Sequence, residues 1–189
     1  MIRSIVTRLR HAAQSRRLGS LGERSLIVKP ELITGGRNIF LERRVRIWPH
    51  ARIECIVDGT HNGTIRIGEG TKIQMYFHCA AAESVTIGRS VLIAGRVYIS
   101  DHDHAWPGDW SDLVTAPIKI GDNCWLGEGC AVLKGVTLGD NCVVGTNAVV
   151  TRSAPAGSML AGVPARVIKQ YNPVNEKWER VEACERSAT

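Results

Sequence analysis

Aromatic side chains are scarce, making up 5% of the 189 residues. That excludes a globular core built around phenylalanine and tyrosine. Apolar residues still reach 44%, enough for an interior of Ile, Val and Leu. No apolar run approaches the roughly 18 residues of a membrane-spanning helix, and the N-terminus lacks the continuous apolar segment of a secretory signal. Six cysteines are present, but no Cys-x-x-Cys pair or zinc-type spacing accompanies them. Reduced structural thiols and a cytoplasmic location are therefore expected, with no bound metal. Acidic residues are few near the start: residues 1–46 hold eleven Lys/Arg against three Asp/Glu, a net +8, whereas the whole chain carries +6. The basic excess is an N-terminal feature rather than a charged face with interleaved aromatics, which argues against nucleic acid as a partner.

What the chain does have is a period of six. Aliphatic residues recur at Ile120, Leu126, Val132, Leu138, Val144 and Val150. Four residues after each stands a small or β-branched one: Cys124, Cys130, Val136, Cys142, Ala148 and Ala154. Glycine directly follows three of the aliphatics, at Gly121, Gly127 and Gly139. This spacing fits neither an α-helix nor a simple alternating strand. A fixed six-residue repeat signals an all-β parallel β-helix, in which six residues form one side of a prism and three sides form a coil. The aliphatic points inward, and the residue four places on fills a corner where only a small side chain fits. On this reading Cys124, Cys130 and Cys142 are corner residues and Cys79 is inward, each acting as a buried hydrophobe.

The rhythm divides the chain into three parts. Residues 1–32 read as a basic amphipathic helix over 1–18, with Ile2, Ile5, Val6 and Leu9 on one face, followed by a transition in which Gly19 and Gly22 break the helix. That helix suits a cap on the coil end or a weak contact with a membrane surface. Residues 33–154 form the β-helix, with Leu41, Ile47 and Ile53 inward and Val45, Ala51 and Val57 in corners. A small protruding loop is expected at 58–63 and a larger one at 101–117. Residues 155–189 read as a C-terminal turn and tail, frayed over 185–189.

Loops that interrupt a rigid repeat are where function concentrates. The loop at 101–117 opens with Asp101-His102-Asp103-His104 and carries Trp106 and Trp110. In an extended segment alternate residues share a face, so His102 and His104 should project together and Asp101 and Asp103 the other way. A histidine there is suited to removing a proton from a hydroxyl or amine at neutral pH. The same residues with His78 make a weaker metal set, and a solvated polar loop is the plain alternative. Trp125 falls on an outward position, requiring a neighbouring subunit, the 101–117 loop or a ligand as partner. Gly127-Glu128-Gly129, Gly145-Thr146-Asn147 and Thr151-Arg152 set small residues and backbone amides along one edge, with Arg166 and Lys169 on the tail. Such an edge suits an extended phosphorylated ligand.

Two stretches, VTIGRSVLIAGRVYISDHDH and PIKIGDNCWLGEGCAVLKGVTLGDNCVVGTNAVVTRSAPAGSMLAGVPARVIKQ, resemble the hexapeptide-repeat acetyltransferases. The nearest branch is the maltose/galactoside O-acetyltransferase type, including members of surface-polysaccharide biosynthesis. The resemblance spans about residues 65–169. It implies a left-handed β-helix, homotrimers with active sites between subunits, acetyl-CoA as donor and a saccharide acceptor. The catalytic histidine of the family falls on His104, with His102 on the same face as its alternative. Trp125 is implied near the thiol end of coenzyme A, with Gly127, Glu128, Thr146, Thr151, Arg152, Arg166 and Lys169 along the cofactor. Gln74, Asp103 and Trp106 are the candidate acceptor contacts. The family commonly has Asn at position 74 and Asp at position 82, where this chain has Gln74 and Ala82, which points away from a simple galactoside or maltose acceptor. N-acetylation of an amino sugar, a non-catalytic trimeric scaffold and a metal-dependent hydratase on the same fold are the competing functions.

Overall fold

In the computed structural model, which describes residue 11 and residues 14–181, the chain winds as a three-faced parallel β-helix. The first coil comprises β1 (Ser20–Leu21), β2 (Leu26–Ile27) and β3 (Leu32–Thr34), and the second β4 (Ile39–Leu41), β5 (Arg46–Ile47) and β6 (Arg52–Cys55). The third holds β7 (Thr64–Ile67), β8 (Lys72–Ile73) and β9 (His78–Ala81), and the fourth β10 (Ser84–Ile87), β11 (Leu92–Ile93) and β12 (Tyr98–Ser100). Here the coil is interrupted by β13 (His102–His104) and β14 (Leu113–Thr115). Winding resumes with β15 (Ile118–Ile120), β16 (Trp125–Leu126) and β17 (Ala131–Val132), then β18 (Thr137–Leu138), β19 (Val143–Val144) and β20 (Val149–Val150). β21 (Ser158–Gly162) adds a last parallel strand, and β22 (Ala165–Asn172) and β23 (Lys177–Arg180) fold back antiparallel on it.

Each face is a stack of every third strand: β1-β4-β7-β10-β15-β18 on face one, β2-β5-β8-β11-β16-β19-β21 on face two, and β3-β6-β9-β12-β17-β20 on face three. The inward aliphatics stack in register as the six-residue period requires. Leu41, Ile67, Ile87, Ile120 and Leu138 form one column, and Ile47, Ile73, Ile93, Leu126 and Val144 another. All of these are buried. Burial of so many Cβ-branched side chains offsets the entropy of ordering the chain.

The corners explain the remaining small residues. Between faces one and two, Gly68, Gly88, Gly121 and Gly139 follow the last inward aliphatic, and a Cβ on Gly121 would lie 2.6 Å from the Asp140 backbone nitrogen. The buried slot of the same corner holds Ser25, Thr71, Cys124, Cys142 and Ser158. Ser25 Oγ donates to Glu42 O at 2.6 Å, Thr71 Oγ1 to Gly88 O at 2.8 Å, and Cys124 and Cys142 Sγ to Gly139 O and Pro155 O at 3.2 Å. These thiols are thus more than small hydrophobes, because they also satisfy turn carbonyls that the winding would leave unpaired.

Several sequence expectations need correction. The coils begin at β1, upstream of residue 33, because Gly19 and Gly22 are tight corners rather than helix breakers. A Cβ on Gly22 would meet the Glu42 carbonyl carbon at 2.4 Å. No α-helix stands among the described elements: of the expected helix over 1–18, residues 1–10, 12 and 13 lie outside the description, and helical backbone at His11, Gln14 and Ser15 gives way to a turn. Phe77 fills a corner slot and is fully buried, so corners admit a large side chain where the column below it, at Ala51, is small. Val57 is 55% exposed rather than in a corner, because the backbone turns out there into the 58–63 loop, bridging to Asn62. Residues 182–189, including Cys184, lie outside the description.

Candidate active site

The excursion at 101–117 leaves the coil between faces three and one, and it is an ordered hairpin rather than an irregular loop. β13 and β14 pair antiparallel, with His102 opposite Thr115 and His104 opposite Leu113. Its root is Asp101, which is fully buried. One carboxylate oxygen accepts from the Ala82 N–H and the other from the Glu83 N–H, both at 2.8 Å. The first oxygen also lies 2.9 Å from His102 Nδ1. The two aspartates expected to share a face therefore split, with Asp101 inside the fold and Asp103 ion-paired with Lys134 at the surface.

The two histidines differ in the same way. The His102 side chain is 11% exposed and tied to Asp101. His104 is exposed, and its Nδ1 lies 2.6 Å from the Trp110 carbonyl oxygen. A carbonyl can only accept, so Nδ1 carries the proton and donates it. Neutral His104 is thereby held as the tautomer whose Nε2 lone pair is free. The Trp110 carbonyl is itself set by a turn in which Asp109 Oδ1 accepts from Ser111 N–H at 2.8 Å and Asp112 N–H donates to Asp109 O at 3.0 Å. Hydrogen bonding from the Ser111 backbone, and then from its side chain, holds the Asp109 carboxyl below its ordinary range. Trp106 stacks on Trp110 with ring centroids 5.0 Å apart.

The other candidate residues fall into a second group. Trp125 is 51% exposed on the outward side of face two, between Leu92 and Val143 in neighbouring strands. At the adjoining corner, between faces two and three, Gly127 and Glu128 of one coil lie against Gly145 and Thr146 of the next: Gly127 N–H donates to Val144 O at 2.8 Å and Asn147 N–H to Glu128 O at 2.9 Å. Glu128 is ion-paired with Arg96. Gln74 lies on this corner two coils earlier, its N–H bonded to Ile93 O at 2.9 Å. Arg166 and Lys169 ride on β22, which extends face two.

Thr151 and Arg152 are not on that edge. They follow β20 and sit at the corner between faces three and one, with Lys134 and the hairpin. The reason is the repeat itself: a six-residue step from Gly145 to Thr151 moves one face around the prism, whereas a whole coil returns to the same corner. One chain thus carries two separate candidate half-sites. The first holds His104, Asp103, Trp106, Thr151 and Arg152, and the second holds Trp125, Gly127, Glu128, Thr146, Gln74, Arg166 and Lys169. Sequence reasoning missed Lys134, Trp110 and the buried role of Asp101. Lys134 carried no motif, and the parity of a hairpin is invisible until its strands are paired.

A family model described as the hexapeptide repeat of succinyl-transferase matches residues 117–152. WbbJ of Escherichia coli (strain K12), assigned as an O-acetyl transferase of lipopolysaccharide biosynthesis, is 39% identical over 136 residues, which is 66% of this chain and 69% of WbbJ. The galactoside O-acetyltransferase of the same organism is 31% identical over 146 residues, covering 76% of this chain and 72% of that enzyme. Among solved structures, a hexapeptide-repeat acetyltransferase of Vibrio cholerae O1 biovar eltor, complexed with acetyl coenzyme A, aligns with a TM-score of 0.62 at 25% identity, over 87% of this chain and 78% of that one. The chain belongs to the hexapeptide-repeat acetyltransferases. Its fold is the left-handed parallel β-helix and its chemistry that of an acyltransferase.

Proposed function

We propose that the protein transfers an acetyl group from acetyl-CoA to a hydroxyl of a saccharide, with His104 as the general base. The observation that carries this reading is the 2.6 Å bond from His104 Nδ1 to the Trp110 carbonyl on an exposed hairpin. It supports an imidazole oriented through Nδ1, with Nε2 left open to a substrate. Nε2 takes the proton of the acceptor hydroxyl as the oxygen attacks the thioester carbonyl. The tetrahedral adduct then collapses, and the proton passes from Nε2 to the departing thiolate of coenzyme A. The names of WbbJ and the galactoside O-acetyltransferase support an oxygen acceptor on a sugar. Five buried free cysteines among the described residues suit a reducing, cytoplasmic setting.

The two half-sites favour a homotrimer in which the hairpin of one chain faces the Trp125 side of the next. Closed cyclic assembly is the ordinary way to complete such a divided site. In that cleft Trp125 and the Gly127–Thr146 corner would line the pantetheine arm, and Arg152, Arg166 and Lys169 would meet its phosphates. Gln74, Asp103 and Trp106 would contact the acceptor. A second reading has its own observation: the 2.9 Å contact of Asp101 with His102 resembles a carboxylate–imidazole dyad. Burial of both partners favours a role for them in holding the hairpin. The test is acetyl transfer by His104→Ala and His102→Ala, with the product treated with mild alkali. His104→Ala should lose about 10²–10⁴-fold in kcat, and the wild-type product should be an alkali-labile ester. Near wild-type transfer by His104→Ala, or an alkali-stable amide, would overturn the proposal.

A further inference from the structure

We infer that Trp106 and Trp110 form the shelf on which the acceptor lies, and that its occupant is the apolar face of a pyranose ring. The inference rests on the assignment of His104 as base and adds the class and pose of the acceptor. The two indoles stack with centroids 5.0 Å apart and planes 28° from parallel. They are 69% and 61% exposed, an unusual outlay of large apolar surface in a chain with so few aromatics. The Trp110 ring lies 6.1 Å from the His104 imidazole, tilted by 57°.

The shelf is held rather than free. Ala105 N–H donates to Asp112 O at 2.8 Å across its base, and the Asp109 turn closes its tip. Trp110 serves twice, since its carbonyl fixes the His104 tautomer while its ring forms the surface beside that imidazole. A ligand that settles on the ring is therefore registered against the base by a single residue.

The chemistry of the surface selects the occupant. A rigid indole offers a broad apolar face at small entropic cost, having only two side-chain torsions. A pyranose matches it, because one face of the ring presents C–H bonds while its hydroxyls radiate from the rim. A ring lying on Trp110 projects a rim hydroxyl toward His104, as general base catalysis requires. An acyclic polyol has the hydroxyls but no flat apolar face, and should gain little from the shelf.

The experiment compares methyl pyranosides of the gluco, galacto, manno and 2-acetamido series with the corresponding alditols, following release of coenzyme A by wild type, Trp106→Ala and Trp106→Phe. At least one pyranoside should be preferred over its alditol. For that acceptor Trp106→Ala should raise KM about tenfold or more with the KM for acetyl-CoA unmoved, and Trp106→Phe should restore most of the loss. An unchanged acceptor KM in Trp106→Ala would overturn the shelf. So would equal use of pyranosides and alditols, or a Trp106→Ala protein that sediments as a smaller species, which would make the indoles a subunit contact. None of these outcomes would touch the base, whose own failure shows only as activity retained in His104→Ala.

Discussion

Asp101 is the residue on which the interruption turns. Its buried carboxylate accepts two backbone N–H bonds from the preceding coil and contacts His102, so the hairpin is pinned to the fold at its root. Asp101→Ala leaves the buried Ala82 N–H without an acceptor, at about 1–3 kcal/mol, and also removes the part-buried bond to Glu83. The urea midpoint should fall by an amount equivalent to about 3 kcal/mol, and Asp101→Asn, which keeps a single acceptor oxygen, should fall less. The buried thiols make a pH prediction. Burial pushes Cys130 up to about 12 and Cys79 well above its ordinary value, whereas an unfolded thiol ionises near about 8.5. The folded state holds the proton longer, so this contribution to stability is intact below about pH 8.5 and is lost as pH rises toward about 12. Between pH 7.5 and 10 the wild type should lose about 2 kcal/mol more than Cys130→Ala in urea unfolding. Equal losses would show that the thiol titrates as if exposed.

At the scale of elements, the strands are two to four residues long through the coils, too short to specify themselves, and the corners set their register. Corners need residues with positive φ. From residue 120 onward Asn123, Gly129, Gly135, Asn141, Asn147 and Gly157 occupy them, residue types that adopt the left-handed region readily. The repeat is accordingly plain to read there. In the first three coils Gly70 is joined at the equivalent positions by Arg24, Arg44, His50 and Tyr76, these four with φ between 58° and 63°. No propensity rule marks those four as corners, and so the first coil reads as a transition. The hairpin was legible as a departure from the period but not as paired strands. Because Arg24 sits at φ 61 with an exposed, weakly stabilising ion pair to Glu23, Arg24→Gly should stabilise the protein by about 0.5–1 kcal/mol. A lower urea midpoint for Arg24→Gly would show that the side chain contributes more than its backbone strain costs.

At the scale of the molecule, the winding separates the proposed base from the proposed donor-binding residues. His104 hangs from the corner between faces three and one, and Trp125 looks out from face two. Both were visible as candidates from residue type and spacing. Their separation was not, because which corner a residue occupies depends on counting sides through coils of unequal length. In the proposed trimer one chain supplies the base and its neighbour the donor-binding half. Co-assembly of His104→Ala with Trp125→Ala chains tests that division. Each variant alone should transfer acetyl groups at least tenfold more slowly than wild type. Trimers refolded from an equal mixture should recover about a quarter of wild-type activity, since random assembly leaves that share of interfaces with both residues intact. Mixed trimers confirmed by mass that recover nothing, or a Trp125→Ala protein of undiminished activity, would contradict it.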